Sequence, residues 1–129
     1  MGQDRYDRGL ALRKKVLGAE YVEKSLAAAD DFSRPMQELS TEYCWGYVWG
    51  RPGLELRDRS LINIAMISAL NRPHELKLHV KAALGNGLSK EEIREVLMQV
   101  AVYCGVPAGI DSVRIAREAF AELEAAKKA

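Results

Sequence analysis

The chain has 129 residues, 48% hydrophobic and 29% charged, with a formal net charge of +1. Such a composition describes one ordinary globular domain, 1–129, able to bury a small core. The near-neutral balance, with no basic block, excludes nucleic acid as the main partner, and no apolar run is long enough for a membrane span.

The opening residues, MGQDRYDRGL, contain no apolar stretch of the secretory kind, so a cytoplasmic protein is expected. Leu10, Leu12, Val16 and Leu17 predict a first amphipathic helix over 5–17, ended by Gly18. A second, shorter helix is predicted over 19–29. Ser33 is positioned to cap a third, with Pro35 in its first turn, running to Trp49. Within it Glu38, Glu42, Trp45 and Trp49 recur at steps of four, three and four, which places them on one face. Paired tryptophans usually pack a core, but a core stripe seldom carries two glutamates. Arg51-Pro52-Gly53 then stops the helix and holds a guanidinium near that face. Cys44 lies in the same segment; neither it nor Cys104 has metal or redox spacing, so both are expected to be reduced and to behave as small apolar groups.

The fourth helix, 57–70, is apolar nearly all round and is predicted to be buried on several sides. Arg59 in its first turn opposes the helix dipole and needs another explanation. The fifth, 71–86, takes Asn71 as its cap, Pro73 in its first turn and Gly85 and Gly87 as its stop. Leu76, Val80, Ala83 and Leu84 form its core stripe. Both histidines, His74 and His79, fall here, and only His79 shares a face with Glu75, on the flank of the stripe. Such a pair is either a surface ion pair or a proton-transfer pair. Ser89 and Glu92 have capping-box spacing for the sixth helix, whose far side carries Met98 and Val102, with Gln99 and Tyr103 on its flank. Gly105 and Pro107 break it, and 109–127 is a last charged helix. The pattern is all-α, with six to seven helices and more apolar surface than one small domain covers, which predicts an oligomer.

Two stretches carry a more specific signal: TEYCWGYVWGRPGLELRDRS and HELKLHVKAALGNGLSKEEIREVLMQVAVYCGVP. They resemble the carboxymuconolactone decarboxylase family over roughly residues 30 to 120. The resemblance implies an all-helical, alkylhydroperoxidase-D-like fold assembled as a hexamer, a trimer of dimers. It also implies decarboxylation of 4-carboxymuconolactone to 3-oxoadipate enol-lactone, the protocatechuate branch of the β-ketoadipate pathway, without metal or organic cofactor. Peroxide-reducing relatives use a Cys-x-x-Cys-x-x-x-His motif. Here His79 falls on the histidine of that motif, while Arg72 and Glu75 fall on the two cysteines, so the redox dithiol is missing.

The implied substrate is a lactone dicarboxylate that carries its own electron sink. The protein must supply an acid, an anchor for the remaining carboxylate and a donor for the lactone oxyanion. His79 supported by Glu75 is the candidate acid, and Arg51 or Arg59 the candidate anchor. Trp45 and Trp49 are expected to wall the ring, with Glu42 on the same face. Tyr103, Gln99 or an amide near Gly105 are the candidate donors. The alternatives are an enzyme acting on another lactone or enol, and a non-catalytic oligomeric binding protein. A metal site built from His79, Glu75 and Glu42 would lack a second ligand motif.

Overall fold

The computed structural model describes residues 2–128. They form seven α-helices and one π-helical segment, and no strand occurs among the described residues. The helices are α1 Gly2–Leu17, α2 Ala19–Ala27, α3 Arg34–Leu39, α4 Leu56–Ala69, α5 Pro73–Gly85, α6 Lys90–Cys104 and α7 Val106–Lys128. The π segment, Ser40–Trp49, follows α3 without a break. The chain divides into two compact units, Met1–Leu56 and Arg57–Ala129. No described helix is long and apolar enough to cross a membrane.

In the first unit, α1 lies along the π segment. The closest approach is at Gly9, where an added Cβ would strike the carbonyl oxygen of Thr41 and lie 2.7 Å from the backbone nitrogen of Gly46. Backbone cannot rotate aside as a side chain can. Gly9→Ala is therefore expected to destabilise the protein by about 1–3 kcal/mol, the scale of overpacking, read as a lowered thermal midpoint. The turn before α3 differs from the expected Ser33 cap. Ser33 does hold the cap position, and its backbone carbonyl accepts from the Met36 and Gln37 N–H groups, but its side chain makes no cap hydrogen bond. Instead Asp30 Oδ1 accepts from the backbone N–H groups of Phe32 and Ser33, at 3.1 and 2.9 Å.

The second unit holds the larger apolar cluster, with Ile64, Leu76, Val80, Ala83, Leu88, Ile93, Leu97, Ala116 and Ala119 at its centre. Helix α7 packs on both α5 and α6. The capping box at α6 forms as its spacing predicts: Ser89 Oγ accepts from the Glu92 N–H at 3.0 Å, and Glu92 Oε1 from the Ser89 N–H at 2.9 Å. Arg57 ties the start of α4 to the same glutamate at 2.6 Å. At α5 the proline begins the helix as expected, but Arg72 holds the cap position and Asn71 takes a left-handed φ of 57° in the turn before it. Gly105, at φ 111°, ends α6, while Pro107 lies in the first turn of α7 rather than breaking a helix. Helix α4 is less enclosed than its composition suggests. Ser60, Ile64 and Ser68 are buried, whereas Ile62 and Met66 are exposed.

Candidate active site

The π segment decides what the first unit can present. Its i→i+5 hydrogen bonding widens the turn, so residues four apart stay nearly in line. Thr41, Trp45 and Trp49 form the buried face. The two indoles stack with centroids 4.5 Å apart and planes inclined at 25°. The expected Glu38–Glu42–Trp45–Trp49 stripe is thereby split: Glu38 is exposed, and Glu42 is half-buried with Oε1 3.9 Å from Arg5 Nη1. Arg51 lies over the Tyr47 ring at 5.3 Å, and Arg5 over Tyr43 and Tyr47 at 5.3 and 5.5 Å. The outer face of the segment is thus an arginine–tyrosine ladder.

Both cysteines are exposed, although each was expected to behave as a small apolar group. At Cys44 local desolvation still pushes the thiol above its ordinary value, with the charge of Arg13 and a hydrogen bond with Trp49 acting the other way. Arg13 does not stand out in the helical pattern, where a basic residue reads as part of a solvated face. Yet it is 6% exposed, and its Nη1 donates to Thr41 Oγ1 at 3.0 Å.

In the second unit α5 carries His79, one helical turn after Glu75. The flank position predicted for the imidazole is a buried one: His79 is 7% exposed, while Glu75 and His74 are exposed. Ala82 and Ala83, small and buried, broaden the inward face of the helix until it includes His79. Burial pushes the imidazole below the ordinary histidine value, and the charge of Glu75 raises it without overcoming that effect. The helix is fixed from its outer side by Lys77 and Lys81, whose ammonium groups lie 2.8 and 2.6 Å from the two carboxylate oxygens of Glu122 on α7. Those two hydrogen bonds hold the Glu122 carboxyl at about 2. Arg59 is half-buried in the first turn of α4. One residue on, the Ser60 hydroxyl accepts from Asn86 Nδ2 at 2.9 Å, which joins α4 to the end of α5.

Tyr103 and Gln99 line an open apolar groove of about 510 Å³ with Leu61, Ala65, Val96 and Val100, and Glu92 and Glu95 also line it. Two carboxylates make that groove a poor seat for a dianion. Among the described residues no group of three or more His, Cys, Asp or Glu side chains is placed to hold a metal ion. Within each unit, then, the structure pairs His79 with Glu75 and Trp45 with Trp49, sets Glu42 on Arg5 and Arg51 on Tyr47, and puts Tyr103 in an apolar groove.

Comparison with known proteins adds three findings. The sequence pattern of the Carboxymuconolactone decarboxylase family matches residues 34–118. A nitrosuccinic acid decarboxylase from Metarhizium robertsii is 43% identical over 118 residues, which span 92% of this chain and 82% of that protein. A 4-carboxymuconolactone decarboxylase from Acinetobacter baylyi is 39% identical over 121 residues, 94% of this chain and 90% of its own.

Proposed function

The chain belongs to the carboxymuconolactone decarboxylase family and is a decarboxylase, and from that premise we propose that it converts 4-carboxymuconolactone to 3-oxoadipate enol-lactone. Its fold is the all-helical, alkylhydroperoxidase-D-like one. The observation that carries the substrate assignment is the 39% identity to a 4-carboxymuconolactone decarboxylase across 94% of the chain.

The reaction asks little of the protein in electron storage. The bond between the ring carbon and its carboxylate breaks, CO2 leaves, and the electron pair passes through the ring double bond into the lactone carbonyl. Protonation of the resulting dienolate at the α-carbon gives the enol-lactone. In our reading His79 delivers that proton, and a buried imidazole is suited to it. The burial that lowers its proton affinity also makes the imidazolium a stronger acid. Glu75 keeps the proton available by opposing that shift. Arg51 and Arg59 are the cations assigned to the carboxylate that stays, with Glu42 setting the charge balance beside Arg5 and the Trp45–Trp49 stack as the apolar wall. Tyr103 remains a candidate oxyanion donor, one that must act from the rim of an apolar groove.

We further propose that the protein is a cytoplasmic homo-oligomer, a hexamer built as a trimer of dimers. Met66, Met98, Val102, Tyr103, Val106 and Ile110 are all exposed apolar or aromatic side chains of the second unit. Several of them are large enough to favour burial against another subunit.

A second substrate reading has its own observation, the 43% identity to a nitrosuccinic acid decarboxylase. The chemistry is related, since a carboxylate beside a nitro-bearing carbon can leave its electron pair in the nitro group. Both substrates are small dicarboxylates with a built-in sink. Purified protein should be given freshly generated 4-carboxymuconolactone and nitrosuccinate separately, with CO2 release and product spectra followed. Faster turnover of the lactone, by kcat/KM, is the expected result. A clear preference for nitrosuccinate would replace the first reading with the second, and turnover of neither would remove both.

A further inference from the structure

The buried arginine of the first unit has no part in the chemistry set out above. Arg13 is 6% exposed, on the buried face of α1 with Gly9 and Val16. Among the described residues its one hydrogen bond goes to Thr41 Oγ1 at 3.0 Å, and its buried Nε has no hydrogen-bond partner. Among the described residues no carboxylate forms an ion pair with it. Glu42, next along the π segment, is turned to Arg5. The nearby Cys44 thiol is held neutral by its own desolvation and supplies no counter-charge.

A guanidinium removed from water without a counter-ion is costly, because nothing replaces its hydration. Methionine or leucine at the same place would pack without that cost. The hydroxyl of Thr41 satisfies one of five donors and carries no charge. Thr41 also belongs to the face that continues through Trp45 and Trp49, so the cation stands at one end of the stacked indoles. A dry guanidinium at the end of an apolar wall is the arrangement in which a carboxylate is held most strongly, since no water screens the pair.

We propose that Arg13, positioned by Thr41, is a carboxylate-binding residue whose missing counter-ion is a carboxylate of the substrate. The assignment rests on the substrate class proposed above, a small dicarboxylate. It differs from Arg51, which is exposed and stacked on Tyr47 and loses little by remaining solvated. Arg13 is thereby an anchor for the carboxylate that stays, in addition to the two arginines assigned above; such a group holds ground state and transition state alike, so its loss raises KM and spares kcat.

The test compares wild type, Arg13→Met and Arg13→Lys. Thermal midpoints are measured in a buffer free of carboxylates, with and without added succinate as the probe, and KM and kcat are measured with the preferred substrate. The expected result has three parts. Succinate raises the wild-type midpoint and leaves Arg13→Met unmoved. Arg13→Met melts no lower than wild type in plain buffer, because it removes an uncompensated charge. Its KM rises at least about tenfold while kcat stays within about a factor of two, and Arg13→Lys recovers part of the loss. An Arg13→Met protein that melts well below wild type or fails to fold overturns the proposal, since the arginine is then structural. So does an unchanged KM, or a wild type whose midpoint ignores succinate. If wild type turns over neither substrate, the decarboxylase assignments fail separately, and the succinate comparison still decides whether Arg13 holds a carboxylate.

Discussion

Replacing His79 with alanine is expected to lower kcat on the lactone by about a hundredfold or more, the usual scale for losing a general acid. Because the imidazole is buried, alanine also leaves a void, so His79→Gln serves as the variant that keeps most of the volume. Both should stay helical by circular dichroism and lose turnover together. Near-normal turnover in either folded variant would make the His79–Glu75 pair structural.

The pH dependence follows from the direction of the shift. Burial sets the folded-state pKa of His79 below its ordinary 6.5, so the unfolded chain binds the proton more readily. The contribution of the neutral buried imidazole to stability is therefore present above pH 6.5 and lost as pH falls towards the folded pKa. His79→Gln should flatten that part of the melting profile on the acid side. In catalysis the acid must be protonated, so the limb of kcat/KM, which reports the free enzyme, should fall below pH 6.5. A bound dianion favours imidazolium, and the kcat limb should lie higher. Glu75→Gln removes the raising influence of that carboxylate and should move the kcat/KM limb further down. Coincident limbs for kcat and kcat/KM would mean that no substrate charge reaches His79.

Much of this is legible in the sequence. Pro73 at the start of α5, the Ser89–Glu92 box and the exposure of Met98 and Val102 all follow from local rules about caps and periodicity. The π segment did not follow, because a run read at 3.6 residues per turn groups Glu38 and Glu42 with the tryptophans. The wider turn substitutes Thr41 for them. Nothing in STEYCWGYVW announces that choice; in the fold, α1 packs closely against the segment at Gly9 and Gly46. Counting the apolar stripe in large residues alone puts His79 on a flank. The small buried faces of Ala82 and Ala83 were what drew it inward. Arg13 is hidden for the opposite reason: hydropathy assigns every arginine to water, and only the fold shows one that is not there. The candidate acid was therefore legible as a residue but not as an environment.

Glutamate in place of Val102 is expected to dissociate the assembly. Val102 is 80% exposed and Tyr103 beside it 78%, an exposure that a stable monomer of this size would have little reason to keep in an apolar pair. If that surface is closed by another subunit, the substitution forces a carboxylate out of water at each copy of the contact. A cost of about 3 kcal/mol, at the low end for burying one unpaired charge, is roughly a hundredfold in a dissociation constant. Because the contact repeats by symmetry, the loss accumulates across a closed ring. Light scattering coupled to size exclusion at micromolar concentration should show wild type as one high-mass species and Val102→Glu as a smaller one with the same helical content. Val102→Ala is the matched control, for it removes apolar area without adding charge and should leave most of the assembly intact. A wild-type monomer under these conditions, or a Val102→Glu protein of unchanged mass, would remove α6 from the subunit contact.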